Sequence, residues 1–219
     1  MIRSKINREL YLDVLTHNES SKLNRVRNMP RIRDWCRQVG LIDDIQQSKW
    51  LERISSDNSI RMYGIFKEND PTSMLLGVCG LTDIDHVNQR AEFSLYIFPK
   101  YHKNGYGKQA LITLFNHGFN DLNLKTIYGE TFDGNNAIVL FLETLLMNYD
   151  GTRPNFYFKN GKFLDSHMIS MDIDEWKTRE YADFRDTGVD AAVYHPDFAG
   201  KRGLCFKKTK KTESDTDDT

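Results

Sequence analysis

No stretch of the 219 residues approaches twenty apolar residues in a row, and no charged-then-apolar leader opens the chain. A transmembrane span and a signal peptide are therefore not expected, and a cytoplasmic protein is. Cysteine is scarce: Cys36, Cys79 and Cys205 are scattered, odd in number and form no C-x-x-C pair. That fits a reducing compartment with free thiols. Histidine and cysteine do not cluster, so a metal site has no sequence support. An excess of one charge is missing as well. The net charge is −1, so no global basic field draws the chain to nucleic acid or to an anionic membrane. A Walker loop is absent too, because GYGK lacks the four residues that motif needs between its first glycine and its Gly-Lys pair.

What is present is organised around Glu92 to Leu122. Glu92 to Ile97 alternates and is rich in aromatic residues, so it reads as a strand. Phe98 to Gly107 is a connector with Pro99, Gly105 and Gly107. Leu111, Leu114, Phe115, Phe119 and Leu122 give Lys108 to Leu122 the spacing of an amphipathic helix. A strand, a glycine turn and a helix start present bare N–H groups at the positive end of a macrodipole, which suits an anion. A dinucleotide fingerprint is formally met by Gly105, Gly107 and Ala110, with Glu130 where a ribose acid would lie. That fold needs further βαβ units downstream, and only one helix and a hairpin follow.

Upstream, Glu9 to Leu15 reads as an edge strand, and Ser21 to Arg27 as a helix capped within His17 to Ser20. Pro30 interrupts this helix, and Arg31 to Gln38 resumes it. Arg25, Arg27, Arg31, Arg33 and Arg37 cluster here, either as a solvated face or as the rim of a site for an anionic substrate. A second helix runs from Asp43-Asp44 to about Ser55, with Ile45, Trp50 and Ile54 for a buried face. Strands follow at Ile60 to Lys67 and at Met74 to Asp83, the latter nearly continuous in apolar residues and so central. Lys125 to Phe132 is a strand, Ala137 to Met147 a buried helix, and Asn160-Gly161 the turn of a terminal hairpin.

This order, with HKNGYG read as (Q/R)-x-x-G-x-(G/A), resembles the GCN5-related N-acetyltransferase (GNAT) superfamily. The branch is that of the ribosomal-protein, polyamine and amino-sugar acetyltransferases. His102 departs from the usual Gln or Arg. The resemblance spans about Leu10 to Trp176 and implies an α/β (α+β) fold. That fold is a mixed, splayed sheet of about seven strands with helices on both faces. It implies an acyl-CoA N-acetyltransferase domain at 1–176, an irregular extension at 177–206 and a disordered charged tail at 207–219. Acetyl-CoA is the implied co-substrate. Its pyrophosphate would meet His102, Lys103, Asn104, Gly105, Tyr106, Gly107 and Lys108. Its pantetheine would pair with the edge of Tyr96, Ile97 and Phe98, and Asn135 would reach it from the last helix.

The acceptor amine must lose a proton. By the resemblance Glu92 is the base, with Asp83, Asp85 and His86 as alternatives, and a neutral His86 is chemically suited. The family's general-acid tyrosine is missing, because Leu142 precedes Glu143 here. Water or Tyr149 would then serve, or the chain would be an acyl-CoA-binding module. The acceptor is left open between an amino-sugar nucleotide, a polyamine, a protein N-terminus and an amine on a modified nucleobase. Dimers are common in this branch, so a homodimer is among the expected assemblies.

Overall fold

The computed structural model describes residues 1–3, 9–38, 40–72 and 74–180. The expected extension and tail lie outside these residues, apart from the end of the last helix. The elements are β1 (Ile2–Arg3), β2 (Leu10–Asp13), α1 (His17–Arg27), α2 (Pro30–Arg33), α3 (Asp44–Ser56), β3 (Arg61–Lys67), β4 (Leu75–Asp85) and β5 (Arg90–Ile97). They continue with α4 (Tyr106–Asn116), β6 (Thr126–Phe132), α5 (Ala137–Val139), β7 (Asn148–Lys159), β8 (Lys162–Asp172) and α6 (Ile173–Glu180). The sheet has eight strands in the order β1-β2-β3-β4-β5-β6-β8-β7. The strand beyond the expected seven is the two-residue β1, which pairs with β2. Only β5 and β6 run parallel among the described pairs.

Each face of the sheet carries its own core. On one face α4, the segment after β6 and α6 bring Leu111, Leu114, Phe115, Phe141 and Trp176 together. On the other, Leu23 of α1 and Leu51 of α3 pack on Phe66, Leu75, Val78 and Phe98. Strand β4 feeds both cores by alternation, and a bulge at Leu76 shifts which residues face which core: Ile65 pairs with Gly77, and the next residue, Phe66, pairs with Leu75. An extra residue reverses the alternation of faces. Asp43 and Gln46 cap α3 reciprocally at 2.7 and 3.0 Å. Trp176 anchors α6, its indole N–H donating to buried Asn116 at 2.9 Å. Among the described residues no helix is long and apolar enough to cross a membrane.

Four local expectations fail, three of them for identifiable reasons. Ile45 is 68% exposed. The inward position on α3 belongs to Gln47, which donates to Ser20 at 3.1 Å and accepts from Arg27 at 3.3 Å. The helix resumed after Pro30 stops at Arg33. The carbonyls of Arg33, Cys36 and Gln38 converge on the Lys159 ammonium, and Arg33 O takes the Cys36 N–H only as a three-residue turn, so no helical ladder continues. The last helix is a single turn of α5 followed by a π-helical turn, Leu140–Thr144. Leu146, at φ +53, then turns the chain out into β7. The helix after the glycine turn likewise ends at Asn116 and widens into a π-helical turn, His117–Asp121. We find no physical account of that widening.

Candidate active site

The site begins where two strands separate. β5 and β6 pair over three rungs, Arg90↔Thr126, Ala91↔Ile127 and Glu92↔Tyr128. Beyond Glu92, β5 follows β4 as far as Ile97, while β6 follows β8 as far as Phe132. Phe93 stands at the parting. Its ring lies over Gly129, where an added Cβ would fall within 3.0 Å of three ring atoms. Phe115 and Phe141 hold that ring edge-on, at centroid distances of 5.5 and 5.1 Å.

The parted edge of β5 is open backbone. The Phe98 N–H donates to Leu76 O at 2.9 Å, toward β4. Alternation then turns the N–H and C=O of Ile97 and Leu95 into the gap. Of the three expected pairing residues, only Ile97 presents its backbone there. Tyr96 and Phe98 face β4, and the Tyr96 phenol is buried without a partner, which pushes its proton affinity up. His102 donates to Ile97 O at 2.7 Å, a role its sequence position did not suggest.

The chain turns through Lys103 and Gly105 at φ +64 and +75, and α4 starts at Tyr106. The left-handed conformation costs glycine nothing, and an added Cβ on Gly105 would meet open space. The Asn104 side chain fastens the turn by donating to Tyr101 O and His102 O, both at 3.2 Å. Gln109 N–H bonds back to Gly105 O, so the helix end ahead of it faces outward. A Cβ on Gly107 would lie 3.5 Å from Leu95 and 3.7 Å from Ile97 and Leu140, which places this glycine between the two walls of the gap. Asn135 caps the far wall, its side-chain oxygen accepting from Ala137 N–H at 3.0 Å.

On the opposite face of β5, beside Phe93, lies Glu92. Its side chain is 7% exposed and accepts from Arg37 Nη2 at 2.6 Å. The other guanidinium nitrogen of Arg37 lies 3.5 Å from Glu130 of β6. Glu130 is held further by Arg153, by the Tyr157 hydroxyl and by Ser166 at 2.7 Å. The two carboxylates therefore differ. Burial pushes the Glu92 carboxyl above the usual carboxylate range, Arg37 pulls it back, and the charges of Glu130 and Asp83 push it up again. Burial and the Glu130 carboxylate push the Tyr157 phenol up to about 12. Arg37 arrives on the turn after α2, and the Lys159 ammonium fastens that turn through Arg33 O at 2.8 Å, Gln38 O at 3.1 Å and Cys36 O.

The other proposed bases are not brought to this point. Asp85 accepts from the N–H groups of Val87 and Asn88 at 3.1 and 2.9 Å and pairs with Arg90 at 3.6 Å. These contacts order the β4–β5 turn and hold its carboxyl below the usual range. His86 is exposed in the same turn, at the end of the hairpin away from the gap. Only Asp83, on the bulge at φ +49, has its charge felt at Glu92. Leu142 packs half-buried against the core, and the Tyr149 hydroxyl is engaged with Thr152 and with His167 at 3.2 Å.

Sequence reasoning missed Arg153, Tyr157 and Ser166, noted Arg37 only within an arginine cluster, and met Glu130 only in a rejected motif. One signal was available: Glu130 alternates with the aromatic Tyr128 and Phe132 on one face of its strand.

Comparison with known proteins follows this geometry. The acetyltransferase (GNAT) domain model matches residues 9–147. The uncharacterized N-acetyltransferase p20 of Bacillus licheniformis is 27% identical over 144 residues, 64% of this chain and 76% of that protein. Spermidine N(1)-acetyltransferase of Escherichia coli K12 is 30% identical over 87 residues, 40% of this chain and 47% of the enzyme, so the chain spans about half of that relative. Among solved structures, spermidine N-acetyltransferase from Vibrio cholerae, in complex with CoA and spermine, shares the fold. Its TM-score is 0.72 at 20% identity, over 78% of this chain and 99% of that one. A dodecameric form of the same enzyme gives 0.67 at 21% identity, over 79% and 99%. With its family model covering well over half of its length, the chain belongs to the GNAT acetyltransferases, which move an acetyl group from acetyl-CoA to an amine.

Proposed function

We propose that this N-acetyltransferase works at the parting of β5 and β6, with Glu92 as the base for a primary amine that enters from the α1–α3 face. The observation that carries the reading is the end of pairing at the Glu92↔Tyr128 rung. There an open backbone edge and an outward-facing helix end share one gap, and a buried carboxylate stands beside it. The residues fit the donor: the backbone of Leu95 and the N–H of Ile97 offer strand-like pairing to pantetheine amides, the Ile97 carbonyl being held by His102. The turn and helix start from Asn104 to Gly107 offer N–H groups and a positive dipole end to a pyrophosphate. Asn135 offers its amide from the other wall. Acetyl-CoA supplies a thioester carbonyl open to attack by an amine.

Glu92 takes the ammonium proton, directly or through one water, so that the nitrogen has a lone pair. Its raised proton affinity suits that task. With leucine at 142, the departing thiolate takes its proton from water. The acceptor side is basic: His17 to Gln38 carries six lysines and arginines against two acids. That composition favours an amine on an anionic small molecule, such as an amino-sugar nucleotide, over a polyamine. The spermidine-acetylating relatives keep the polyamine as the second reading. The buried Trp176 supports ending the catalytic domain near 176, and the assembly of a structural relative supports a multimer of this chain, a homodimer at least.

Free-thiol release from acetyl-CoA against an amino-sugar nucleotide, spermidine, an N-terminal peptide and an aminated nucleoside tests the reading. Release with the amino-sugar nucleotide alone is expected. Release only with spermidine would overturn the anionic-carrier assignment.

A further inference from the structure

We infer that Arg37 is a tethered stand-in for the acceptor's ammonium, which must displace it from Glu92 before transfer can occur. This rests on Glu92 being the acceptor's base. A carboxylate whose Oε1 accepts from a guanidinium at 2.6 Å is a weakened base with its cation position already filled, and arginine does not give up its own proton. The guanidinium also spans the parting, reaching Glu92 on one strand and Glu130 on the other.

The three partners are unequally placed. The carboxylates are 7% and 8% exposed, fixed on strands, and cannot follow a departing partner. The arginine side chain is 51% exposed on a turn, and rotation carries it into water while the Lys159 staple keeps its backbone in place. Its departure leaves Glu130 with Arg153, Tyr157 and Ser166 but takes away the donor held by Glu92. A buried carboxylate stripped of its partner is strongly unfavourable. Only a ligand that brings a positive charge and N–H donors restores the balance. An ammonium does so and a hydroxyl does not, so Arg37 makes the site selective for protonated amines over alcohols. Between turnovers it keeps the two carboxylates paired.

The test compares wild type with Arg37→Ala and Arg37→Lys. Removing the competitor lowers the KM for the amine by about tenfold, the worth of one charge-assisted hydrogen bond. Methylguanidinium chloride then inhibits Arg37→Ala competitively with the amine and leaves wild type unaffected. Arg37→Lys keeps a tethered cation and a KM near that of wild type. An unchanged or higher KM with a lower kcat overturns the proposal, because Arg37 would then be a fixed positioning residue. So does restoration of a crippled Arg37→Ala by methylguanidinium. Titration calorimetry of methylguanidinium needs no turnover. Binding to Arg37→Ala and not to wild type supports the stand-in, and absence of binding to either refutes it. If Arg37→Ala does not fold, Arg37→Gln takes its place in both arms. Wild type that releases no thiol with any amine would sink the catalytic reading instead, and the calorimetry would still decide the cation site.

Discussion

Glu92→Gln separates catalysis from stability in one substitution. A positioned base contributes about 10²–10⁴ in rate. Glutamine keeps the shape and an acceptor oxygen but cannot take a proton, so kcat/KM falls by about that factor, or ~3–5 kcal/mol of transition-state stabilisation. Stability moves the other way or hardly at all. Arg37 exchanges an ion-paired hydrogen bond for one to a neutral acceptor, a loss of about 1 kcal/mol. Against this, the amide escapes the burial penalty and the repulsion of Glu130 and Asp83. The net direction is given by the raised proton affinity of Glu92: the folded state prefers it neutral. The folded state therefore binds the extra proton, and wild type gains stability as pH falls from the raised value toward the ordinary carboxylate range. Above that window the gain is absent, so at pH 7 the variant should melt no lower than wild type, within the ~2–4 °C that 1 kcal/mol represents in a domain this size. Thiol release and thermal melts at pH 7 and pH 5 read both quantities. A variant that keeps more than about a tenth of wild-type kcat/KM, where a base should contribute 10² or more, or that melts several degrees lower at pH 7, would make Glu92 an ion-pair partner and nothing else.

Three further outcomes follow from the same geometry. Gly107→Val has room for its first atoms at 3.5–3.7 Å but fills the space between Leu95, Ile97 and Leu140. It should fold normally and weaken CoA binding, which calorimetry reads. Lys159→Met removes the ammonium that three carbonyls share. Amide exchange in 34–38 should speed up by about tenfold or more, since a hydrogen bond to a charged group contributes ~1.5–3 kcal/mol, while exchange in α4 stays unchanged. Gly129→Ala pushes a methyl into the Phe93 ring. It should cost about 1–3 kcal/mol and weaken CoA binding together, because the ring it displaces is the wedge. CoA affinity that survives the loss of stability would refute the wedge.

The legible parts of this fold are those with local signals. Alternation marked β5, two glycines marked the turn into α4, and Asn160-Gly161, at φ +50 and +81, formed the hairpin turn that the dipeptide announces. The illegible parts depend on distant partners. The α2 turn is shaped by Lys159, more than 120 positions away, and the inward face of α3 by Ser20. Arg37 stood among five arginines with nothing local to single it out. In the structure Arg27 lies over Trp50 at 5.3 Å, Arg25 and Arg31 are exposed, and Arg37 alone of the five bridges the two buried carboxylates.

The parting itself has a simple origin in the pleat. Successive strand residues face opposite sides, so Phe93 and Glu92 are neighbours in sequence and divide two tasks between the two faces. Phe93 enters the core of α4 and α6, where its bulk against Gly129 ends the parallel pairing. Glu92 faces α1 and α3, where the charged residues gather. On the proposed reading the donor side is built mainly from backbone N–H groups, whose supply does not depend on which side chain stands at 102. The proposed acceptor side is built from side chains on 17–38, 130 and 153–166. Exchanging those segments between relatives should therefore move acceptor choice, while exchanging the glycine turn should move only the affinity for CoA.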